Sequence, residues 1–213
     1  MIRIHLGNAA LDPEKTRGRF VAFLGADGAG KSSVIEGAVR ALDGKYSKIR
    51  RYHLRPHFGA DRSSHPAVED PHAEPPRTLL GSLLKLTLWF ADYLYGYYAL
   101  VRPAVKRGEL VIFDRYYYDL LVDPRRYRYG GPLRLVAWLA RYVPRPETIL
   151  LDAPSEILRR RKQEVSAAET ARQRQSYLQL AADLKAEVID ASLPLEQVTS
   201  LVTAQLEPPE RQT

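Results

Sequence analysis

Eight consecutive residues, Gly25-Ala26-Asp27-Gly28-Ala29-Gly30-Lys31-Ser32, form a complete GxxxxGKS pattern directly after an apolar run at 20–24. Glycines at these positions let the backbone fold around phosphate oxygens with its N–H groups pointing inward. The ammonium of Lys31 would reach the outer phosphates, and the hydroxyl of Ser32 would ligate Mg²⁺. The pattern predicts that the chain binds the phosphates of a nucleoside triphosphate.

The pattern is specific only between a buried strand and the N-terminus of a helix. Residues 19–24 read as a short strand, and 32–42 carry apolar residues spaced for one helix face, namely Val34, Ile35, Ala38, Val39 and Leu42. Both flanks are present, so we favour phosphate binding over a glycine-rich turn with an accidental Lys-Ser pair.

A second group of chemically capable residues, Asp114-Arg115-Tyr116, follows the apolar run 110–113. The carboxyl ends of strands in an α/β sheet lie at the ligand site, which places this group beside the phosphate loop. A carboxylate there can hold Mg²⁺ through water, and an arginine can face a phosphoryl group. The alternative is a salt-bridged strand end; beside a complete phosphate loop we favour the functional interpretation.

Cations gather in a later segment that we expect to move, at Arg159-Arg160-Arg161-Lys162 and at Arg172 and Arg174. A closing arginine can stabilise the charge on a phosphoryl group during transfer and exclude water. The alternative is a solvated basic helix face. The cluster favours the functional interpretation more strongly than any one of its arginines does.

Two further features point to an acceptor. Asp27 lies inside the phosphate loop, where a carboxylate is unusual unless it meets a hydroxyl, a water or the metal. After the strand at 110–113, tyrosines alternate with arginines at 116–118 and 125–129. These side chains could stack on and neutralise an acceptor, or they could pack a loop against the long helix; the position after the strand favours the acceptor.

Composition bounds the function classes. The chain has 213 residues, a formal net charge of +7 and no cysteine, which suits one globular domain that favours anionic ligands and has no disulfide or thiolate metal site. The N-terminus lacks the features of a secretion signal, so we expect a cytoplasmic protein.

Lys85 and Asp92 interrupt the apolar stretch 79–101, which argues against a membrane span. Histidines 53, 57, 65 and 72 follow no metal-binding spacing, and no nucleic-acid recognition motif is present.

Strand and helix signals alternate along the chain. Strands are predicted at 19–24, 47–54, 110–113, 148–151 and 187–190, and helices at 32–42, 78–107 with a kink at Pro103, 133–142, 155–162 with a charged continuation to 185, and 195–206. This alternation predicts an α/β fold with a parallel sheet covered on both faces. We expect 1–18 to be an N-terminal extension, 57–77 a long loop and 207–213 a C-terminal tail.

With these motifs assembled, the chain resembles the thymidylate kinase family of P-loop nucleoside monophosphate kinases. The resemblance covers nearly the whole chain after residue 18. It is carried, in order, by the motifs at 23–32, Phe90-Ala91-Asp92, Arg102-Pro103-Ala104 with Gly108, the motif at 111–116, Leu151-Asp152-Ala153-Pro154-Ser155-Glu156 and Val188-Ile189-Asp190-Ala191.

The resemblance implies a three-layer P-loop NTPase fold at 19–206, with a five-stranded parallel sheet and a helical lid at about 159–175. It implies ATP and Mg²⁺ as cofactors and no nucleic-acid or membrane partner; a homodimer through the apolar helix would fit the family. The ATP-binding residues it implies are Gly25, Ala26, Asp27, Gly28, Ala29, Gly30, Lys31, Ser32 and Ser33. The implied metal ligands are Ser32 and Asp114, and the implied catalytic residues are Lys31, Asp114, Arg115, Arg159 and Arg161.

On the acceptor side the chain departs from the family pattern. The usual Arg-Glu-Pro-Gly after the second strand is reduced to Arg55-Pro56, and Tyr93 stands where an arginine is expected. The resemblance implies transfer of the γ-phosphoryl group of ATP to a nucleoside monophosphate such as dTMP. Alternatives are a kinase of the same fold acting on a sugar or nucleoside, for example in surface-polysaccharide synthesis, and a nucleotide-binding regulatory protein. The acceptor-binding candidates are Asp27, Arg55, Tyr93, Tyr116 and Arg128.

Overall fold

The first strand, β1 (Arg19–Leu24), lies at the centre of the molecule. In this computed structural model, which describes residues 18–56, 74–163 and 165–208, four consecutive residues of β1 from Val21 to Leu24 are almost fully buried. Successive side chains of a strand point to opposite faces of its sheet, so a continuous buried run means that both faces are covered. The layered α/β architecture predicted from the sequence follows from this pattern.

The five strands form one parallel sheet in the order β2-β3-β1-β4-β5. They are β1, β2 (Ile49–His53), β3 (Leu110–Asp114), β4 (Glu147–Asp152) and β5 (Glu187–Asp190). Phe23 of β1 is in register with Asp114 of β3, and His53 of β2 is in register with the same residue. The predicted five-stranded parallel sheet is confirmed, and its register brings the ends of β1, β2 and β3 to one edge.

The helices connect these strands. They are α1 (Lys31–Ala41), α2 (Leu79–Gly96), α3 (Arg102–Lys106), α4 (Asp119–Val122), α5 (Leu133–Leu139), α6 (Ser155–Arg161), α7 (Ala167–Leu184) and α8 (Leu195–Leu206). α1 packs against α8, and α7 packs against α6 and β4. In the described part of the chain, no helix is both long and apolar enough to cross a membrane.

The long apolar helix predicted at 78–107 is divided differently from the expectation. A π-helical turn, Tyr97–Val101, joins α2 to α3, and Pro103 lies in the first turn of α3. Proline cannot donate the backbone hydrogen bond of a regular helix, and the wider π turn just before it accommodates that loss. Gly108, with φ 76°, follows and ends the helical segment, as predicted.

Other boundaries shift for local reasons. β2 ends at His53 because Leu54 takes a φ of 63°. The predicted 155–185 helical stretch is two helices, since the side chain of Ser166 caps α7 by accepting a hydrogen bond from the N–H of Glu169. The short α4 was not predicted. The N-terminal extension, most of the 57–77 loop and the end of the tail lie outside the described residues.

Candidate active site

The loop between β1 and α1 has the backbone shape that its glycines allow. Gly28 has a φ of 84°, and a Cβ atom there would lie 2.4 Å from the carbonyl oxygen of Leu158. A Cβ atom at Gly25 would lie 2.5 Å from the carbonyl oxygen of Leu151. Side chains at either position would collide with backbone, so glycine is required to bring the loop against β4 and α6. We call this loop, residues 25–33, together with Asp114, the donor side.

Lys31 is buried at the centre of the donor side. Its Nζ donates hydrogen bonds to the carbonyl oxygens of Gly25 at 2.6 Å and Ala26 at 3.0 Å. Burial, followed by the charge of Arg115, lowers the pKa of Lys31 to about 8. The ammonium is therefore held inside the loop, and its charge is sensitive to mildly alkaline pH.

Two oxygen ligands suited to a divalent cation meet beside Lys31. The Ser32 hydroxyl donates to Asp114 Oδ2 across 3.1 Å, and Asp114 is the last residue of β3. His53 Nδ1 lies 3.9 Å from the same oxygen. Hydroxyl and carboxylate oxygens fit Mg²⁺, which keeps water and phosphate oxygens for its other positions. No group of three or more metal-ligating His, Cys, Asp or Glu side chains occurs among the described residues, so a cage made of such side chains is not indicated there.

An ion-pair network joins the phosphate loop to the residues after β3. Asp27 accepts from Arg115 Nη2 at one carboxylate oxygen and from Arg126 Nη1 at the other. Arg115 Nη1 also donates to the fully buried carboxylate of Asp119 at 3.0 Å, and Tyr177 Oη of α7 donates to that carboxylate at 2.6 Å. Arg115 has a φ of 70°, a conformation that non-glycine residues rarely adopt and that a dense set of contacts must hold.

The arginines of the segment predicted to act as a lid contact different parts of the protein. Arg161 donates to the Ala191 carbonyl oxygen at 2.7 Å, Arg172 binds Glu169 and the Val122 carbonyl, and Arg174 binds Asp152 with two nitrogens. Arg159 follows Leu158, whose backbone touches Gly28, and its Nε is buried without a hydrogen-bond partner among the described residues. Of these four arginines, Arg159 is the one that directly follows a residue in contact with the phosphate loop, namely Leu158.

On the other side of this network, cations surround an indole. The guanidinium of Arg55 and the ammonium of Lys85 lie over the Trp89 ring, 4.9 and 4.8 Å from its centroid. The Tyr127 ring packs edge-on against Trp89, with centroids 5.3 Å apart. We call Arg55, Lys85, Trp89, Tyr127 and Arg128 the acceptor side, after the acceptor-binding role that the sequence predicts for Arg55 and Arg128.

Comparison with known proteins supports a distant relationship to kinases. A search of protein-family models finds no match to the chain. The chain is 32% identical over 148 residues to a "Bifunctional ribose 1,5-bisphosphokinase-thymidine phosphorylase" of Cupriavidus necator, covering 69% of this chain and 21% of that protein. It is 30% identical over 100 residues to a "Thymidylate kinase" of Lactobacillus delbrueckii, covering 47% and 46%. It is 29% identical over 215 residues to a "Thymidylate kinase" of Leifsonia xyli, covering 92% and 97%.

These relatives differ in how much of each protein is matched. The chain spans about a fifth of the Cupriavidus protein and just under half of the Lactobacillus protein, but nearly all of the Leifsonia protein. Similarity at this level, together with the parallel sheet and the loop between β1 and α1, supports a distant relationship of the chain to thymidylate kinases.

Two predicted acceptor residues lie in the core of this kinase-like fold. Tyr93 and Tyr116 are each 1% exposed, and their hydroxyls donate to the carbonyl oxygens of Leu54 and Pro144. Their rings pack edge-on, with centroids 4.8 Å apart, and burial raises the pKa of both phenols. We therefore leave both tyrosines out of the site proposed below, because their polar atoms are already bound within the protein.

Sequence reasoning did not assign roles to Lys85, Trp89 and Asp119, which the structure brings to the site. Arg126 and Tyr127 were predicted only as members of the stretch at 125–129 in which tyrosines alternate with arginines. Asp119 follows Arg115 by four residues on a short helix, and this spacing could have indicated an ion pair. Lys85 and Trp89 lie four residues apart on α2, but the residues that they contact at the site come from distant segments of the chain.

Proposed function

We propose that the chain is an ATP- and Mg²⁺-dependent phosphotransferase. The observation that carries the proposal is the meeting of three groups at one sheet edge: the ammonium of Lys31, the hydroxyl of Ser32 and the carboxylate of Asp114. In the reaction, an acceptor oxygen would attack the γ-phosphorus of ATP while the bond to the β,γ-bridging oxygen breaks and ADP leaves. The protein's part in such a transfer is positioning and charge stabilisation.

On the donor side, each residue would have a distinct part. The loop N–H groups and Lys31 would bind the phosphates, and Arg159, beside Gly28, would face the transferring group. Ser32 and Asp114 would hold Mg²⁺, which supplies charge neutralisation on the phosphate oxygens when bound. The Arg161 assignment stays a prediction, since Arg161 donates a hydrogen bond to the carbonyl oxygen of Ala191 rather than to the loop.

The acceptor has two candidates. A nucleoside monophosphate such as dTMP is supported by the names of the Lactobacillus and Leifsonia relatives. A sugar phosphate is supported by the kinase part of the name of the Cupriavidus relative, which matches this chain over 148 residues. The departure from the family pattern at Arg55-Pro56 falls on a residue that would distinguish these acceptors.

The test is an acceptor panel. The purified full chain is incubated with ATP and Mg²⁺ and with nucleoside monophosphates including dTMP, nucleosides, sugars and sugar phosphates, and acceptor-dependent ADP formation is measured. We expect transfer to a phosphorylated acceptor. Binding of ATP without transfer to any acceptor would contradict the proposal and favour a nucleotide-binding regulatory protein.

The partner we propose for the exposed face of α2 is a second copy of this chain. Four large apolar side chains line that face: Leu80, Leu84, Leu88 and Tyr95 are between 56% and 80% exposed. The carboxylate of Asp92, which is 44% exposed near this face, is paired with Arg55. An apolar stripe of this kind on one helix can pair with its own copy across a twofold axis.

Light scattering after size-exclusion chromatography tests the homodimer. We expect a dimer for the unmodified chain and a monomer for Leu84→Glu. Leu201→Glu, at an exposed leucine of α8, is the matched control and should leave the dimer intact. A Leu84→Glu protein that stays dimeric would place the interface elsewhere.

A further inference from the structure

Two polar atoms are buried without a hydrogen-bond partner on the acceptor side. They are Arg55 Nε and Tyr127 Oη, and neither finds a partner in the part of the chain that the structure describes. Tyr127 is 8% exposed, and its phenol has lost contact with water without gaining a bond inside the protein. Buried polar groups are nearly always paired in folded proteins, so unpaired ones at a candidate site are available to bind a ligand group.

Both unpaired atoms belong to side chains that pack around Trp89. The Arg55 guanidinium and the Lys85 ammonium lie over the indole, and the Tyr127 ring meets its edge. Lys85 Nζ also donates to the backbone carbonyl of Tyr127. Trp89 itself is 6% exposed, and this aromatic ring is therefore covered by cations and protein rather than open for stacking.

The charge around Lys85 is strongly positive, whereas the Tyr127 phenol lies near two carboxylates, Asp119 and Asp123, and two arginines, Arg115 and Arg126. Burial, and then the charges of Arg77, Arg55 and Arg128, lower the pKa of Lys85 to about 8. Among the described residues, the ion pairs that offset these cations are Arg55 with Asp92 at 2.6 Å and Arg128 with Glu74. Neighbouring cations that lower the pKa of a lysine in this way are stabilised when an anion binds between them.

Backbone geometry holds the two main arginines of this cluster in place. Leu54, just before Arg55, has a φ of 63°, and Arg128 has a φ of 52°. Gly96 lets Pro56 pack against α2, since a Cβ atom at Gly96 would lie 2.2 Å from Pro56 Cγ. Left-handed backbone at non-glycine residues is uncommon and tends to occur at ligand sites.

We propose that Arg55, Lys85 and Arg128, together with the Tyr127 hydroxyl, bind a phosphate group of the acceptor, and that this acceptor is a sugar phosphate rather than a nucleotide. The phosphate would accept from Arg55 Nε and Tyr127 Oη, the two atoms that otherwise lack a partner. A nucleobase gains affinity by stacking on an open aromatic face, whereas two cations already lie over the Trp89 ring. The inference rests on the proposed phosphotransferase function, whose acceptor class it names.

Trp89 provides a direct reporter for the test. The chain has two tryptophans, and Trp138 is surface-exposed, so a Trp138→Phe background leaves Trp89 as the single indole. Ribose 5-phosphate is titrated into the ADP-bound protein, with ribose and dTMP as comparison ligands, and Trp89 fluorescence is recorded. We expect saturable binding of ribose 5-phosphate, weaker binding of dTMP and no binding of ribose.

Charge-removing variants then locate the subsite. Lys85→Met should weaken ribose 5-phosphate binding about tenfold, the loss expected for one charge-assisted hydrogen bond. Lys106→Met, an exposed lysine of α3, removes the same charge and should leave binding unchanged. Arg128→Gln serves as a second variant if Lys85→Met does not fold, and a melting curve for each variant checks its folding.

Specific outcomes would overturn the inference. Equal ribose 5-phosphate binding by the parent, Lys85→Met and Arg128→Gln proteins would show that these residues do not form a phosphate-binding subsite. Tighter binding of dTMP than of ribose 5-phosphate would overturn the sugar-phosphate assignment. The proposed function fails separately, by absence of ATP binding or transfer, and ribose 5-phosphate titrated without nucleotide still reads the subsite in that case.

Discussion

On the donor side, one short loop between β1 and α1 carries most of the groups that would touch ATP, and Asp114 of β3 and Arg159 of α6 come from other elements. The acceptor side takes its five residues from three separate segments, the end of β2, the middle of α2 and the loop after α4. The donor side is fixed by local backbone shape. The acceptor side is fixed by packing between distant segments, and it is where a related chain can change its substrate without losing the phosphate loop.

The network around Asp27 connects these two sides. Asp27 belongs to the phosphate loop, whereas its partners Arg115 and Arg126 follow β3, and Asp119 links Arg115 to Tyr177 of α7. A change on one side can therefore alter the other through these contacts. The following predictions separate effects confined to one side from effects on both.

The largest effect is expected on the donor side alone. Lys31→Ala removes the ammonium that would reach the outer phosphates, and we expect kcat to fall by about 10²–10³-fold. Acceptor binding, measured by Trp89 fluorescence in the Trp138→Phe background, should stay unchanged. Lys48→Ala, outside the site, is the control; retention of activity by Lys31→Ala would overturn the assigned role of the loop.

A change in the network around Asp27 should affect both sides, because it lowers the stability of the fold. Asp119→Asn removes a fully buried charge that pairs with Arg115, and we expect the free energy of unfolding to fall by about 3 kcal/mol. Denaturant titration measures the loss. Asp183→Asn, at an exposed position of α7, should change stability by less than about 0.5 kcal/mol; equal losses in the two variants would mean that the network contributes nothing particular.

The lid segment allows a comparison among arginines. Arg159→Ala should lower kcat by about a hundredfold with KM for the acceptor unchanged, because an arginine at the loop acts on the transferring group. Arg172→Ala should change kcat less than about threefold, since Arg172 is already paired with Glu169. Steady-state kinetics decides, and a reversed order would assign the transfer step to Arg172.

The smallest effect is a shared pH dependence. Lys31 and Lys85 both have a pKa lowered to about 8, so both sides lose a positive charge as the pH rises from 7 to 9.5. We expect affinity for ADP and for the phosphorylated acceptor each to fall about tenfold over this range, because the protonated forms bind phosphate more tightly. Calorimetry measures both affinities.

Arginine substitutions show which lysine causes each pH dependence. Lys31→Arg should abolish the pH dependence of ADP binding and leave that of acceptor binding, while Lys85→Arg should do the opposite, since an arginine keeps its charge to about pH 12. If either variant removes both dependences, the two sides titrate as one unit.

Much of the fold was predictable because its signals are local. β1, β5 and α8 begin and end where the apolar patterns at 19–24, 187–190 and 195–206 place them. The predictions were less accurate where the backbone departs from regular geometry, as at the π turn before Pro103 and at Leu54. Such departures are set by contacts with distant residues, as in the packing of Pro56 against Gly96.

The same distinction applies to the candidate site. Lys31, Ser32 and Asp114 were predicted together, and the structure brings them together. Tyr93 and Tyr116 were predicted at the acceptor because they follow or replace motif residues, yet both rings fill the core. A tyrosine in a sequence motif can serve either purpose, and burial, which distinguishes them, depends on the whole fold.

The sequence by itself determined that the chain has a phosphate loop between a buried strand and a helix, because that motif requires a short, contiguous backbone shape. It also determined the alternation of strands and helices, since side-chain periodicity is a local property. Tertiary structure decided which cations face which partners: Arg126 with Asp27, Arg161 with Ala191, and Arg55 and Lys85 with Trp89. Those pairings join residues far apart in the chain, and only packing brings their charges close enough to interact strongly.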